Sequence, residues 1–68
     1  MNKEYIDYLF EDEDSGELFF VEVVKDGSTS YTDYFNKAWE IAHDNFENPI
    51  FIEDVDPAVA ETYGYDTY

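Results

Sequence analysis

The stretch that decides the fold is Ser30-Tyr31-Thr32-Asp33-Tyr34-Phe35-Asn36-Lys37-Ala38-Trp39-Glu40-Ile41-Ala42-His43-Asp44-Asn45-Phe46-Glu47. Within it the apolar residues recur at three- and four-residue steps. Tyr31, Phe35, Ala38, Ala42 and Phe46 mark the stripe, and Tyr34, Trp39 and Ile41 widen it. That period predicts one amphipathic helix over 31–47. Ser30 is a good N-cap, with Asp33 three residues on in a capping-box position. Asn48-Pro49 ends the helix, because Pro restricts the residue before it and cannot continue the turn pattern.

On either side of this stretch the period is two. Over 5–10, Ile6, Tyr8 and Phe10 alternate with Tyr5, Asp7 and Leu9, which predicts a strand. Glu11-Asp12-Glu13-Asp14-Ser15-Gly16 reads as a turn, with Gly16 able to supply a positive φ. Residues 17–25 read as a second strand, with Phe19, Val21 and Val23 on one face and Leu18, Phe20, Glu22 and Val24 on the other. Together these segments form an antiparallel hairpin with an acidic tip. Asp26-Gly27-Ser28-Thr29 breaks the chain before the helix. Ile50 to Val55 reads as a third strand, antiparallel beside the first. Asp56 and Pro57 suit the N-cap and first position of a short helical turn, with Gly64 able to close it. The expectation is an α+β β-β-α-β domain: a three-stranded antiparallel sheet, one helix on one face and a short C-terminal helical turn. The chain of 68 residues has room for one domain, 1–68, with 65–68 as a loose tail.

The charge is the outlier. Eighteen Asp and Glu face three Lys, for a net charge of −15. Self-repulsion of that size works against the compact state. Yet 44% of the chain is hydrophobic and 21% aromatic, so it lacks the signature of disorder. With no cysteine there is neither a disulfide framework nor thiolate chemistry. The opening Met1-Asn2-Lys3-Glu4-Tyr5 has no basic stretch before an apolar run, and no apolar run approaches a membrane span. The expectation is a cytoplasmic protein with no membrane contact.

Catalysis is disfavoured by what is missing. Stabilising developing negative charge needs a cation, and the chain offers three scattered Lys. His43 is the single histidine, and its place near a helix C-terminus suits the dipole. Ser15, Ser28 and Ser30 sit at turn or cap positions. Asp12, Asp14 and Gly16 resemble part of a calcium loop, but Gly16 stands fifth from Asp12 where the EF-hand needs a sixth. No cofactor, metal or enzyme activity is expected.

What remains is geometric. Same-face residues on a strand are roughly 6.6 Å apart. Residues four apart on a helix lie about 6 Å apart along the axis. Both spacings approach that of successive phosphates on one nucleic-acid strand, on the order of 6–7 Å. Asp33, Glu40, Asp44 and Glu47 form such a row opposite the apolar stripe, interrupted by Lys37. Asp44 and Glu47 stand in the last turn, against the macrodipole, where they cost a few tenths of a kcal/mol each and have no folding rationale. Glu11, Asp12, Glu13, Asp14 and Glu17 add the hairpin tip. Glu53, Asp54 and Asp56 add the third strand. Phe20, Tyr63 and Tyr65 are the aromatic candidates for partner contact, with closure of the second sheet face or a homodimer as the other use.

Density constrains the idea. A chain of this mass exposes about 4,400 Å², or about 300 Å² per net charge. A duplex treated as a cylinder of ~10 Å radius carries one charge per about 100 Å². Mimicry by even spreading is therefore about threefold too dilute, and the carboxylates must be concentrated.

In size, in its 18 carboxylates against three Lys, and in the row Asp33, Glu40, Asp44 and Glu47, the chain resembles the small acidic DNA-mimic inhibitors of phages and mobile elements. These include antirestriction proteins, anti-CRISPR proteins and uracil-DNA glycosylase inhibitors. The likeness is of class and transfers no family's binding residues. It implies a non-enzymatic inhibitor acting in a host cytoplasm. Such a protein blocks the groove of a basic nucleic-acid-binding protein, a CRISPR nuclease or restriction enzyme, without touching nucleic acid itself. An antitoxin or immunity protein against a basic toxin is the rival reading, and an acidic homo-oligomeric regulator the third.

Overall fold

The computed structural model describes residues 4–27 and 30–68. Strand β1 (Glu4–Asp12) and strand β2 (Leu18–Lys25) form the predicted hairpin, in register from Glu4 opposite Lys25 to Glu11 opposite Leu18. Asp12 closes the turn: its amide donates to Glu17 O at 2.8 Å and its carbonyl accepts from Gly16 at 2.7 Å. Gly16 takes φ +76°, a left-handed conformation that a side chain would strain. Ser28 and Thr29, in the expected break before the helix, lie outside the described residues.

Helix α1 (Tyr31–Asn45) starts as the sequence indicates. Ser30 accepts from the Asp33 amide, and Asp33 reaches back to the Ser30 amide. It ends two residues early. Phe46 leaves the helix with extended dihedrals and stacks on Phe19, ring centroids 4.1 Å apart. Glu47 is therefore outside the helix. Pro49 opens strand β3 (Pro49–Val55), which pairs antiparallel with β1 as expected. The register slips between Leu9 and Phe10, so Phe51 faces the helix and Ile52 becomes the extra residue.

Beyond β3 the expected architecture needs correction. Short helix α2 (Pro57–Ala60) is capped by Asp56, but Glu61, not Gly64, is its C-cap. Gly64, at φ +73°, turns the chain into a fourth strand, β4 (Asp66–Thr67). β4 runs parallel to β2, so the sheet is mixed and four-stranded, ordered β3-β1-β2-β4. The tail at 65–68 is not loose. Tyr68 donates to Phe20 O at 2.8 Å and accepts from Glu22 N at 3.0 Å. Its ring meets Phe19 and Phe46 edge-on, both at 5.5 Å. Two parallel residues carry no period of their own; the Tyr68 backbone bonds and this aromatic contact fix them.

Both faces of the hairpin are covered. On the helix side, Tyr8, Phe10, Phe19, Val21 and Val23 pack against Tyr34, Ala38 and Ala42. The two alanines let the α1 backbone approach the sheet closely. Buried Tyr34 directs its hydroxyl to the loop, accepting from Gly27 N at 2.8 Å. On the other side Leu9, Phe20, Val55 and Ala60 form a second, smaller core under α2. Among the described residues no helix is long and apolar enough to cross a membrane.

Ending the chain at Gly64 removes β4 and the Tyr68 ring from the Phe19–Phe46 stack. The expected loss is about 2–4 kcal/mol, read as a lower urea midpoint. An unchanged midpoint would contradict the structural role given to the terminus.

Candidate interaction surface

The candidate residues divide between surfaces. On α1, Asp33, Glu40 and Asp44 are all exposed. The segment after α1 docks on the hairpin tip. Asn48 donates to both Asp14 carboxylate oxygens, at 3.1 and 3.3 Å, and accepts from Glu13 N at 3.0 Å. The helix row, Glu47 and the exposed tip residues Glu13, Asp14 and Glu17 therefore belong to neighbouring parts of the molecule.

Other candidates are turned to different uses. Asp12 is only 9% exposed, and its carboxylate accepts from the Ser15 hydroxyl at 2.8 Å and the Asp14 amide at 3.4 Å. It organises the turn rather than presenting a charge. Glu11 is half-buried on the second face, between Leu18 and Ile50. Glu53 and Asp54 are exposed on opposite faces, one across from Leu9 and the other from Tyr8. Burial, and after it the Asp54 charge, raises the Tyr8 phenol above its ordinary range. Asp56 is spent on the α2 cap, accepting from Ala58 N at 2.9 Å.

Phe20 is removed from the surface altogether. It is 1% exposed at the centre of the second core, because β2 alternates Phe19 and Phe20 to opposite buried faces. Tyr63 and Tyr65 pack against it, at 5.6 and 5.9 Å, while remaining partly exposed. They close the second face of the sheet. His43 is likewise occupied: Nδ1 is 3.0 Å from Trp39 O and the ring lies 4.4 Å from the indole.

Cations do little to neutralise this surface. Among the described residues the one ion pair is Lys25 with Glu4, at 4.0 Å, and Lys25 also lies 5.2 Å over the Tyr31 ring. Lys37 interrupts the helix row. No group of three or more acidic, His or Cys side chains among the described residues is arranged to hold a metal ion.

The feature missed in the sequence is Asp7. It is 4% exposed, and its Oδ1 has no hydrogen-bond partner among the described residues. It stands directly across from Glu22 on the second face. Burial, a hydrogen bond shared with Glu22, and the charges of Glu22, Asp56 and Glu61 push its pKa up to about 7. The hairpin register is the signal that could have found it: counting back from the turn pairs Asp7 with Glu22, two carboxylates on a face shared with Leu9 and Phe20.

Comparison of the chain with protein-family models, curated proteins and solved structures gives no match.

The raised Asp7 pKa fixes a sign. Between about pH 4 and pH 7 the folded state holds a proton that the unfolded chain releases, so this group's contribution to stability falls as pH rises through that window. Asp7→Asn removes the titration. It should stabilise the protein at pH 8 by roughly 2–4 kcal/mol and leave little difference at pH 4. Denaturant titrations at both pH values check this. A variant less stable than the parent at pH 8 would contradict it.

Proposed function

We propose that this protein is a non-enzymatic inhibitor. It presents carboxylates in place of nucleic-acid phosphates and occupies the groove of a basic DNA- or RNA-binding protein, a CRISPR nuclease or restriction enzyme being the best-fitting class. The observation that carries the reading is the exposed, scarcely neutralised acidic surface running along α1 toward the hairpin tip. Long-range attraction to such a surface speeds encounter, and exposed aromatic rings then slow release.

Dimensions also favour it. The molecule measures 38 × 25 × 16 Å. A duplex 38 Å long carries about 22 phosphate charges at one per ~1.7 Å of axis. The protein brings a net −15 in the same length, about two-thirds as many. Its area of 4575 Å² still gives about 300 Å² per charge. Mimicry therefore rests on local concentration, along α1 at Asp33, Glu40 and Asp44 and at the neighbouring hairpin tip, and not on the average over the molecule.

Capture from a nuclease-treated lysate of the host cell supplies the partner. The double variant Glu40→Lys, Asp44→Lys should retain it roughly tenfold more weakly or worse. Its melting temperature should not fall, because both residues are exposed and Asp44 already opposes the helix dipole. Undiminished retention would remove α1 from the interface.

A further inference from the structure

The sheet ends in two unequal edges. β4 forms one with two residues, whereas β3 forms the other with seven, Pro49–Val55. β3 bonds to β1 on its inner side alone, so alternate backbone N–H and C=O groups face outward. Among the described residues no hydrogen bond reaches that outer side. The bulge at Ile52 interrupts the inner ladder once, with three paired residues on each side of it. Ile50 and Ile52 are 41% and 46% exposed, on either side of half-buried Phe51. Phe51 anchors the strand, with its ring 5.8 Å from Phe10 and 4.9 Å from Phe35. Natural sheets commonly guard such an edge with lysine. None of the three lysines lies in β3; Glu53 and Asp54 follow the apolar run instead, exposed on opposite faces.

We infer that β3 is a docking edge for an extended basic segment of the partner, which adds to the sheet as a further strand. The inference rests on the reading of the chain as the ligand of a basic protein. Charge selects the occupant. A second copy brings its own net −15, and pairing two β3 edges puts Glu53 and Asp54 of both copies into one sheet. A strand with Lys or Arg beside Glu53 and Asp54, and apolar residues beside Ile50 and Phe51, meets complementary neighbours along its length. Because Glu53 and Asp54 point to opposite faces, two consecutive basic residues satisfy both, one on each face. Backbone bonds supply the affinity of such an added strand, and the side chains set which strand is accepted. The acidic surface then speeds encounter, and the edge adds to what slows dissociation.

The test uses the synthetic peptide acetyl-Thr-Lys-Arg-Thr-Val-Ile-Thr-amide. Paired antiparallel, it sets Lys and Arg beside Asp54 and Glu53, and Val and Ile beside Phe51 and Ile50. Titrated into the whole chain at fixed ionic strength and followed by NMR, it should shift the amides of residues 50–54 saturably and slow their hydrogen exchange. Methylating alternate peptide amides keeps every charge. One of the two methylation registers blocks the side toward β3 and should weaken binding about tenfold or more, while the other should bind like the parent peptide. Ile52→Lys, at an exposed position, should keep the melting temperature and weaken binding about tenfold or more. Equal binding of both methylated peptides would overturn the inference, as would shifts confined to α1 or parent-like binding by Ile52→Lys. A free chain that is dimeric, but monomeric as Ile52→Lys, would give the edge to a second copy and overturn it too. If a nucleic-acid-binding partner is captured while this peptide fails to bind, the edge assignment alone falls. If the peptide binds and the captured partner does not bind nucleic acid, the edge stands and the groove-blocking reading falls.

Discussion

Phe19 and Phe20 are adjacent in the chain, point to opposite faces of the sheet, and are 0% and 1% exposed. A strand that buries a large ring on each face needs a cover on each face. On one side the cover is α1, brought close by Ala38 and Ala42. On the other it is the C-terminal segment, with Ala60 in the core and Tyr63 and Tyr65 against Phe20. Tyr68 then returns to the first side and closes the Phe19–Phe46 stack, carrying β4 into the sheet. The order of every layer follows from that pair of rings.

This packing is what allows the charge. Mutual repulsion among carboxylates with a net charge of −15 opposes compaction, and aromatic burial on two faces offsets it. Most carboxylates stay in water, where solvent screens them. Several serve local structure: Asp12 in the hairpin turn, Asp33 in the capping box and Asp56 at the start of α2. Asp7 is different. Closing the second face also closed over this carboxylate, and that burial first, then Glu22 and the charges of Asp56 and Glu61, push its pKa up to about 7.

Much of the fold is legible because it is written in local periods. The hairpin register, the Ser30–Asp33 capping box and the antiparallel place of β3 all follow from alternation, spacing and turn chemistry. Four features are not. Phe46 leaves the helix for a long-range stacking contact, which no helical period records. β4 is two residues long and held by backbone bonds to Phe20 and Glu22, far away in sequence. Phe20 reads as surface in the sequence because a hairpin alone does not say whether its second face is covered. The helix row is legible as a pattern. Asp7 is hidden by the same ambiguity about that second face, which decides whether a carboxylate on it is solvated or buried.

The central claim is that the acidic surface stands in for nucleic acid. It is tested most directly by eluting the captured partner with short duplex DNA, or with RNA, at constant ionic strength. The account predicts release by nucleic acid at concentrations where the same added ionic strength as sodium chloride releases nothing. A partner that stays bound while it takes up nucleic acid, forming a three-component complex, would contradict it.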